Sequence, residues 1–91
     1  MAYRLSDHAR NQMADRRIAE EIVESVLSEP GQILEARRGR KIYQSIVEMR
    51  NRTLLLRVVV RELRHQILVV SVYYTTQIAR YWEDRNNDDT L

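Results

Sequence analysis

Arg57 and Arg61 stand four residues apart in the run Thr53-Leu54-Leu55-Leu56-Arg57-Val58-Val59-Val60-Arg61. Successive side chains of a strand alternate faces, so Leu54, Leu56, Val58 and Val60 turn toward a core. Thr53, Leu55, Arg57, Val59 and Arg61 turn the other way. Neighbouring alternating runs are expected to add Lys41, Tyr43 and Ser45, and Ser71, Tyr73 and Thr75, to this open face. A surface of Arg, Lys, Tyr and Ser/Thr suits a phosphodiester. Cleavage of RNA by its own 2′-hydroxyl needs a base, an acid for the leaving oxygen, and positive charge on the phosphorane. Guanidinium groups supply the last, and one preorganised donor is typically worth ~3–4 kcal/mol. Arg57, central in its strand, is the first candidate, with Arg61 beside it.

The remaining candidates each have a plainer reading. Arg40 and Lys41 open the next strand and can bind phosphate, and a desolvated Lys41 can move a proton. They also fit a basic hairpin loop. Tyr43 and Tyr73 can stack on a base or carry a proton, yet tyrosine is at home in half-buried strands. A one-residue slip would exchange Tyr73 for Tyr74. Histidine is a residue type suited to general acid/base work, and His8 shares a helical face with Gln12 and Arg16. It fits equally a residue near a helix start. His65 falls in a hairpin turn. The two distant histidines and the absence of cysteine give no metal-binding pattern, and no glycine-rich phosphate loop is present. No cofactor is expected.

Charge distribution says more than the net +2. Between Arg37 and Arg64, nine basic residues face only Glu48 and Glu62, whereas Glu83–Leu91 holds four acids and Arg85. Lys41 is the single lysine among the fifteen basic residues, and arginine forks match phosphate bidentately. An anionic partner, nucleic acid first, is the expectation. Composition alone weighs this evenly against a solvated charged surface. Zero cysteines exclude disulfides and are compatible with a reducing cytoplasm. Apolar runs broken by Arg57, Arg61 and Ser71 leave no membrane span, and the N-terminus has no signal-peptide core. A soluble cytoplasmic protein is expected.

The elements that position these residues follow from the periodicity. Tyr3-Arg4-Leu5 can form a short opening strand. Ser6 or Asp7 caps a helix to about Arg16, with Ala9 and Met13 on its stripe. A break at Arg17-Ile18-Ala19 precedes a second helix, Glu20 to Ser28, with Ile22, Val23, Val26 and Leu27 on one face. Pro30-Gly31 stops it. Four strands, Gln32–Ala36, Lys41–Glu48, Thr53–Glu62 and Gln66–Thr75, are joined by links short enough for antiparallel hairpins. A last helix runs from about Thr76 to Asp84, and Asn86–Leu91 forms a polar tail beyond a domain at 1–85. The fold expected is α+β: two N-terminal helices on a four-stranded antiparallel sheet, a short C-terminal helix, and an open sheet face opposite the helices.

The segment Ser6-Asp-His8-Ala-Arg10…Met13…Arg16-x-Ile18, with Val23…Leu27…Pro30…Ile33, Arg40-x-x-Tyr43, Leu56-Arg57-Val58-Val59-Val60 and Val70-x-Val72-Tyr73-x-Thr75, resembles the DUF4258 domains over nearly the whole chain. That family resembles, more distantly, toxins of the RelE/ParE and BrnT kind, and the opening Tyr3-Arg-Leu-Ser-x-x-Ala9 is RelE-like. Many such toxins are metal-independent ribonucleases that act on messenger RNA at the ribosome. Where the family usually has Arg-Gly-Ile, this chain has Arg16-Arg17-Ile18, so the turn lacks its glycine. Ala19 stands where Ser or Thr is frequent, removing a side-chain cap from the second helix.

The leading expectation is therefore a toxin-like, metal-independent endoribonuclease. Arg57, with Arg61, Lys41 or Arg40, would hold the phosphate, and Tyr73, Tyr43 or His8 would move protons, with Arg16 and Thr75 among the substrate contacts. The alternative is a non-catalytic module holding RNA or a protein partner, such as a small acidic antitoxin. A third reading is self-association through Ile78, Tyr81 and Trp82.

Overall fold

A computed structural model describes residues 2–84. The elements are β1 (Tyr3–Leu5), α1 (Asp7–Arg16), α2 (Glu20–Ser28), β2 (Gln32–Glu35), a 3₁₀ turn at Arg37–Gly39, β3 (Arg40–Met49), β4 (Arg52–Glu62), β5 (Ile67–Thr75) and α3 (Ile78–Tyr81). The sheet has five strands in the order β1-β5-β4-β3-β2. The fold is α+β as expected, but the sheet is mixed rather than four-stranded and antiparallel. Tyr3–Leu5 pairs parallel with Ile67–Val69, a contact between the two ends of the fold that no local pattern announces. The expected tail at 86–91 lies outside the described residues.

Both N-terminal helices lie where the apolar stripes put them. Ser6 caps α1 by accepting the Ala9 N–H at 3.0 Å, and α1 buries Ala9 and Met13. Arg17 closes α1 in the left-handed conformation at φ 55°, the position where glycine is the usual residue. The Arg50 guanidinium donates to the carbonyls of Arg16 and Arg17, satisfying acceptors that the helix end leaves open. Ala19 gives α2 no side-chain cap. Val23, Val26 and Leu27 of α2 pack with Leu54, Leu56, Val58 and Val60 of β4 in the main core.

The hairpin at Arg50-Asn51 fixes the register of β3. Both residues have positive φ, 50° and 63°, as a two-residue type I′ turn requires. Met49 therefore faces Arg52, and Val47, Ser45, Tyr43 and Lys41 face Leu54, Leu56, Val58 and Val60. This overturns the expected facing of β3. Lys41, Tyr43 and Ser45 turn to the helix side, whereas Arg40, Ile42, Gln44 and Ile46 share the open face with Arg57.

β5 departs from period two. A bulge between the Val59–Ser71 and Val60–Val69 pairs leaves Val70 as the extra residue. Val69 and Val72 both enter the core, and Tyr73 keeps its place opposite Arg57 while Tyr74 packs against the core. Beyond β1, the free edge of β5 is closed by α1: Gln12 Oε1 accepts the Val72 N–H at 2.8 Å and the Ser71 hydroxyl at 3.0 Å. The C-terminal helix is shorter than expected, because Thr75 Oγ1 accepts the Gln77 N–H and holds a turn ahead of Ile78.

Candidate functional site: the Arg57 row

Four strands place one polar residue each in a single row across the open face: Gln32, Gln44, Arg57 and Tyr73. Rows on either side are largely apolar, Leu34–Ile42–Val59–Ser71 on one and Ile46–Leu55–Thr75 on the other. Arg57 is only 7% exposed and Gln44 is fully buried. Burial of a charge is costly unless it is hydrogen-bonded, and here neutral groups provide the bonds. Arg57 Nε donates to Gln44 Oε1 at 2.8 Å, and one terminal nitrogen donates to the Tyr73 hydroxyl at 2.7 Å. The guanidinium lies 4.5 Å from the Tyr81 ring centroid and 5.6 Å from that of Tyr73, within cation–π range of both. Among the described residues no carboxylate pairs with Arg57.

Tyr81 arrives from α3, so the face expected to be open is covered over Arg57. The cover is fastened by amides. Gln44 Nε2 donates to Gln32 Oε1 at 2.8 Å and to the Tyr81 carbonyl at 3.2 Å. Gln32 in turn accepts the Glu83 N–H at 3.1 Å and donates to the Glu83 carbonyl at 2.5 Å. A Cβ on Gly31 would come within 2.9 Å of the Trp82 ring, so glycine there permits the close seat of that indole. Trp82 also lines an open groove of about 460 Å³ with Glu29, Ser45 and Val47, away from the Arg57 row.

The structure joins Arg57 to Tyr73 and separates them from other candidates. Thr75 lies in the next row of the same face, with its hydroxyl engaged by Gln77. Arg40 and Arg61 face each other at the far end of β3 and β4, also on the open face. Tyr43 and Lys41 sit on the opposite side of the sheet, bound to one carboxylate. Lys41 Nζ is 3.2 Å from Glu62 Oε1, and the Tyr43 hydroxyl donates to Glu62 Oε2 at 3.0 Å. These contacts hold Glu62 below the usual carboxylate range, and burial, with the hydrogen bond to Glu62, pushes the Tyr43 phenol up. His8 and Arg16 are exposed on α1, and neither side chain bonds to the Arg57 row among the described residues. Tyr3 is likewise committed elsewhere: its hydroxyl reaches Glu20 at 2.6 Å and Glu24 at 2.8 Å, which raises its pKa.

Sequence reasoning missed Gln44, Gln32 and Tyr81. The signal for Gln44 lay in the turn: a two-residue link at Arg50-Asn51 puts Gln44 opposite Arg57. Tyr81 was expected only with Ile78 and Trp82 as a surface for self-association, and its ring lies over the guanidinium.

Among the described residues no group of three His, Cys, Asp or Glu side chains is placed to hold a metal, and no helix is long and apolar enough to cross a membrane. The chain belongs to the family described as Domain of unknown function (DUF4258), whose model matches residues 5–74. The match ends before α3, so Tyr73 falls inside it and Tyr81 outside. No curated protein and no solved structure matches the chain.

Proposed function

We propose that this protein is a toxin-like, metal-independent endoribonuclease whose site is the Arg57 row. The observation that carries the proposal is the buried Arg57 guanidinium bonded to the Tyr73 hydroxyl, with no carboxylate partner among the described residues. A guanidinium held by neutral groups keeps its full charge for a phosphate, and charge on the phosphorane is the largest demand of metal-free RNA cleavage. Tyr73, whose hydroxyl is bonded to the guanidinium, is the phenol available for proton transfer, and the Tyr81 ring covers the same guanidinium. Gln44 orients Arg57 rather than touching substrate. RNA, free or on the ribosome, is the substrate, and a small acidic antitoxin is the partner suited to the basic stretch 37–64. The distant likeness to RelE/ParE and BrnT toxins supports the same reading.

A non-catalytic module that holds RNA, or a protein partner, is the second reading. It is favoured by the Tyr81 ring over Arg57 and by the placement of Lys41 and His8 off the row.

Growth after tight induction separates the two. The native chain should arrest a bacterial culture, and an Arg57→Ala/Tyr73→Phe variant at equal soluble level should not. New RNA ends mapped only in the arrested culture would identify cleavage. Salt-sensitive RNA binding with normal growth and intact RNA would support the module. Arrest by both chains would remove the Arg57 row as the site.

A further inference from the structure

Arg40 and Arg61 are cross-strand partners on the open face. Like charges directly opposite one another in an antiparallel pair destabilise it. Neither residue has an acidic partner among the described residues; the nearby Glu62 is engaged by Lys41 and Tyr43 on the other side of the sheet. Arg40 Nε is shut off from solvent and has no hydrogen-bond partner among the described residues, which adds the cost of an unmet donor to the repulsion of the pair and leaves the terminal nitrogens to meet a ligand. Arg61 is exposed, as are Arg37 and Arg38 in the adjoining 3₁₀ turn, so cations outnumber the acids Glu35 and Glu62 at this end of the sheet.

We propose that the Arg40–Arg61 pair is a docking station for a backbone phosphate of RNA, separate from Arg57 and further along the same strand. This rests on the reading of the protein as RNA-directed. A phosphate between the two guanidinium groups accepts from their terminal nitrogens and converts a repulsive pair into a chelate. Four residues separate Arg57 from Arg61, about 13 Å along the strand. Arg57 is held by Gln44 and Tyr73, so a phosphate at the Arg40–Arg61 pair does not share it, whereas a strand of RNA laid along β4 spans both. The station is a sheet face rather than an enclosed cavity, which suits a polymer better than a free anion. It also lies outside the contacts that fasten α3, which run to Gln32 and Gln44 and to Arg57 through Tyr81. RNA can therefore dock at Arg40–Arg61 while Tyr81 still covers Arg57.

The test is fluorescence anisotropy of a short labelled oligouridylate against the full chain over a salt series, in parallel with an NMR titration by inorganic phosphate. The Arg40→Gln/Arg61→Gln variant should bind the oligonucleotide about ten-fold more weakly, with a salt slope shallower by ~0.7 for the one single-strand phosphate the pair holds. An Arg4→Gln/Arg10→Gln variant, with the same net charge, should match the native chain. The melting temperature of Arg40→Gln/Arg61→Gln should not fall, because the opposed charges are gone. Native-like binding by that variant would overturn the station and leave RNA binding intact. Phosphate shifts at Arg40 and Arg61 without oligonucleotide binding would keep an anion site and overturn RNA as its ligand. Neither ligand binding would overturn both.

Discussion

At the residue scale, Gln44 is the hinge of the site. Its amide oxygen takes the Arg57 Nε–H, and its amide nitrogen serves both Gln32 and the Tyr81 carbonyl. One buried side chain thus decides where the guanidinium points and where α3 rests. Leucine is close to glutamine in size, so Gln44→Leu leaves little cavity and mainly removes hydrogen bonds. Arg57 Nε would then lose its acceptor inside a protein layer, at a cost of about 1–3 kcal/mol. Urea unfolding should show that loss with an unchanged slope, and Arg57-dependent activity should fall along with it. A fully stable Gln44→Leu protein would mean that Arg57 does not depend on this bond. Arg57 itself was legible in the sequence because β4 is an unbroken run of alternating faces. Gln44 was not, because a glutamine in a strand carries no chemistry until its register is known.

At the element scale, what was legible depended on whether a local pattern sufficed. The two N-terminal helices have capping residues and apolar stripes within one stretch of chain, and both form where those signals lie. β1 is three residues long and exists only by pairing with β5. The facing of β3 is set by a type I′ turn made of Arg50 and Asn51, a pair without the glycine that usually marks one. The alternation of Ile42 and Ile46 with Lys41 and Tyr43 suggested the opposite facing, because two isoleucines read as core residues, whereas Ile42 lies half-buried and Ile46 exposed on the other face. In β5 the bulge at Val70 sits in a run of apolar residues with nothing to flag it. The two departures from family pattern have visible consequences: Arg17 holds a positive φ, and α2 starts without a cap. Both are therefore correctable. Arg17→Gly should stabilise the fold by about 0.5–1 kcal/mol, the relief of a left-handed residue less the entropy of an added glycine. Its carbonyl remains available to Arg50. Ala19→Ser should add about 1 kcal/mol by capping α2. For a domain of this size each kcal/mol is worth roughly 4–8 °C in melting temperature, so calorimetry resolves both. No gain from Ala19→Ser would mean that the first N–H groups of α2 already have partners in water.

At the scale of the whole molecule, the two faces of the sheet are covered by very different means. One carries α1 and α2 and the main apolar core. The other carries α3, four residues long, too short to be stable as an isolated helix. Its position rests on amide bonds from Gln32 and Gln44, the Tyr81 ring over Arg57, and Trp82 against Gly31. Segments with so few buried contacts open at free energies well below that of global unfolding. Trp82 is the only tryptophan in the chain, which makes its fluorescence a specific report on this segment. Gln32→Leu removes both bonds to the Glu83 backbone and one to Gln44, without touching the main core. Its Trp82 emission should move to the red and become quenchable by acrylamide at temperatures where far-ultraviolet circular dichroism still reports a folded sheet. Uncovering Arg57 should also strengthen RNA binding in the same variant, since Tyr81 and a phosphate compete for one guanidinium. If Trp82 instead reddens only as the sheet melts, α3 belongs to the main cooperative unit, and access to Arg57 must then come from the side of Tyr73.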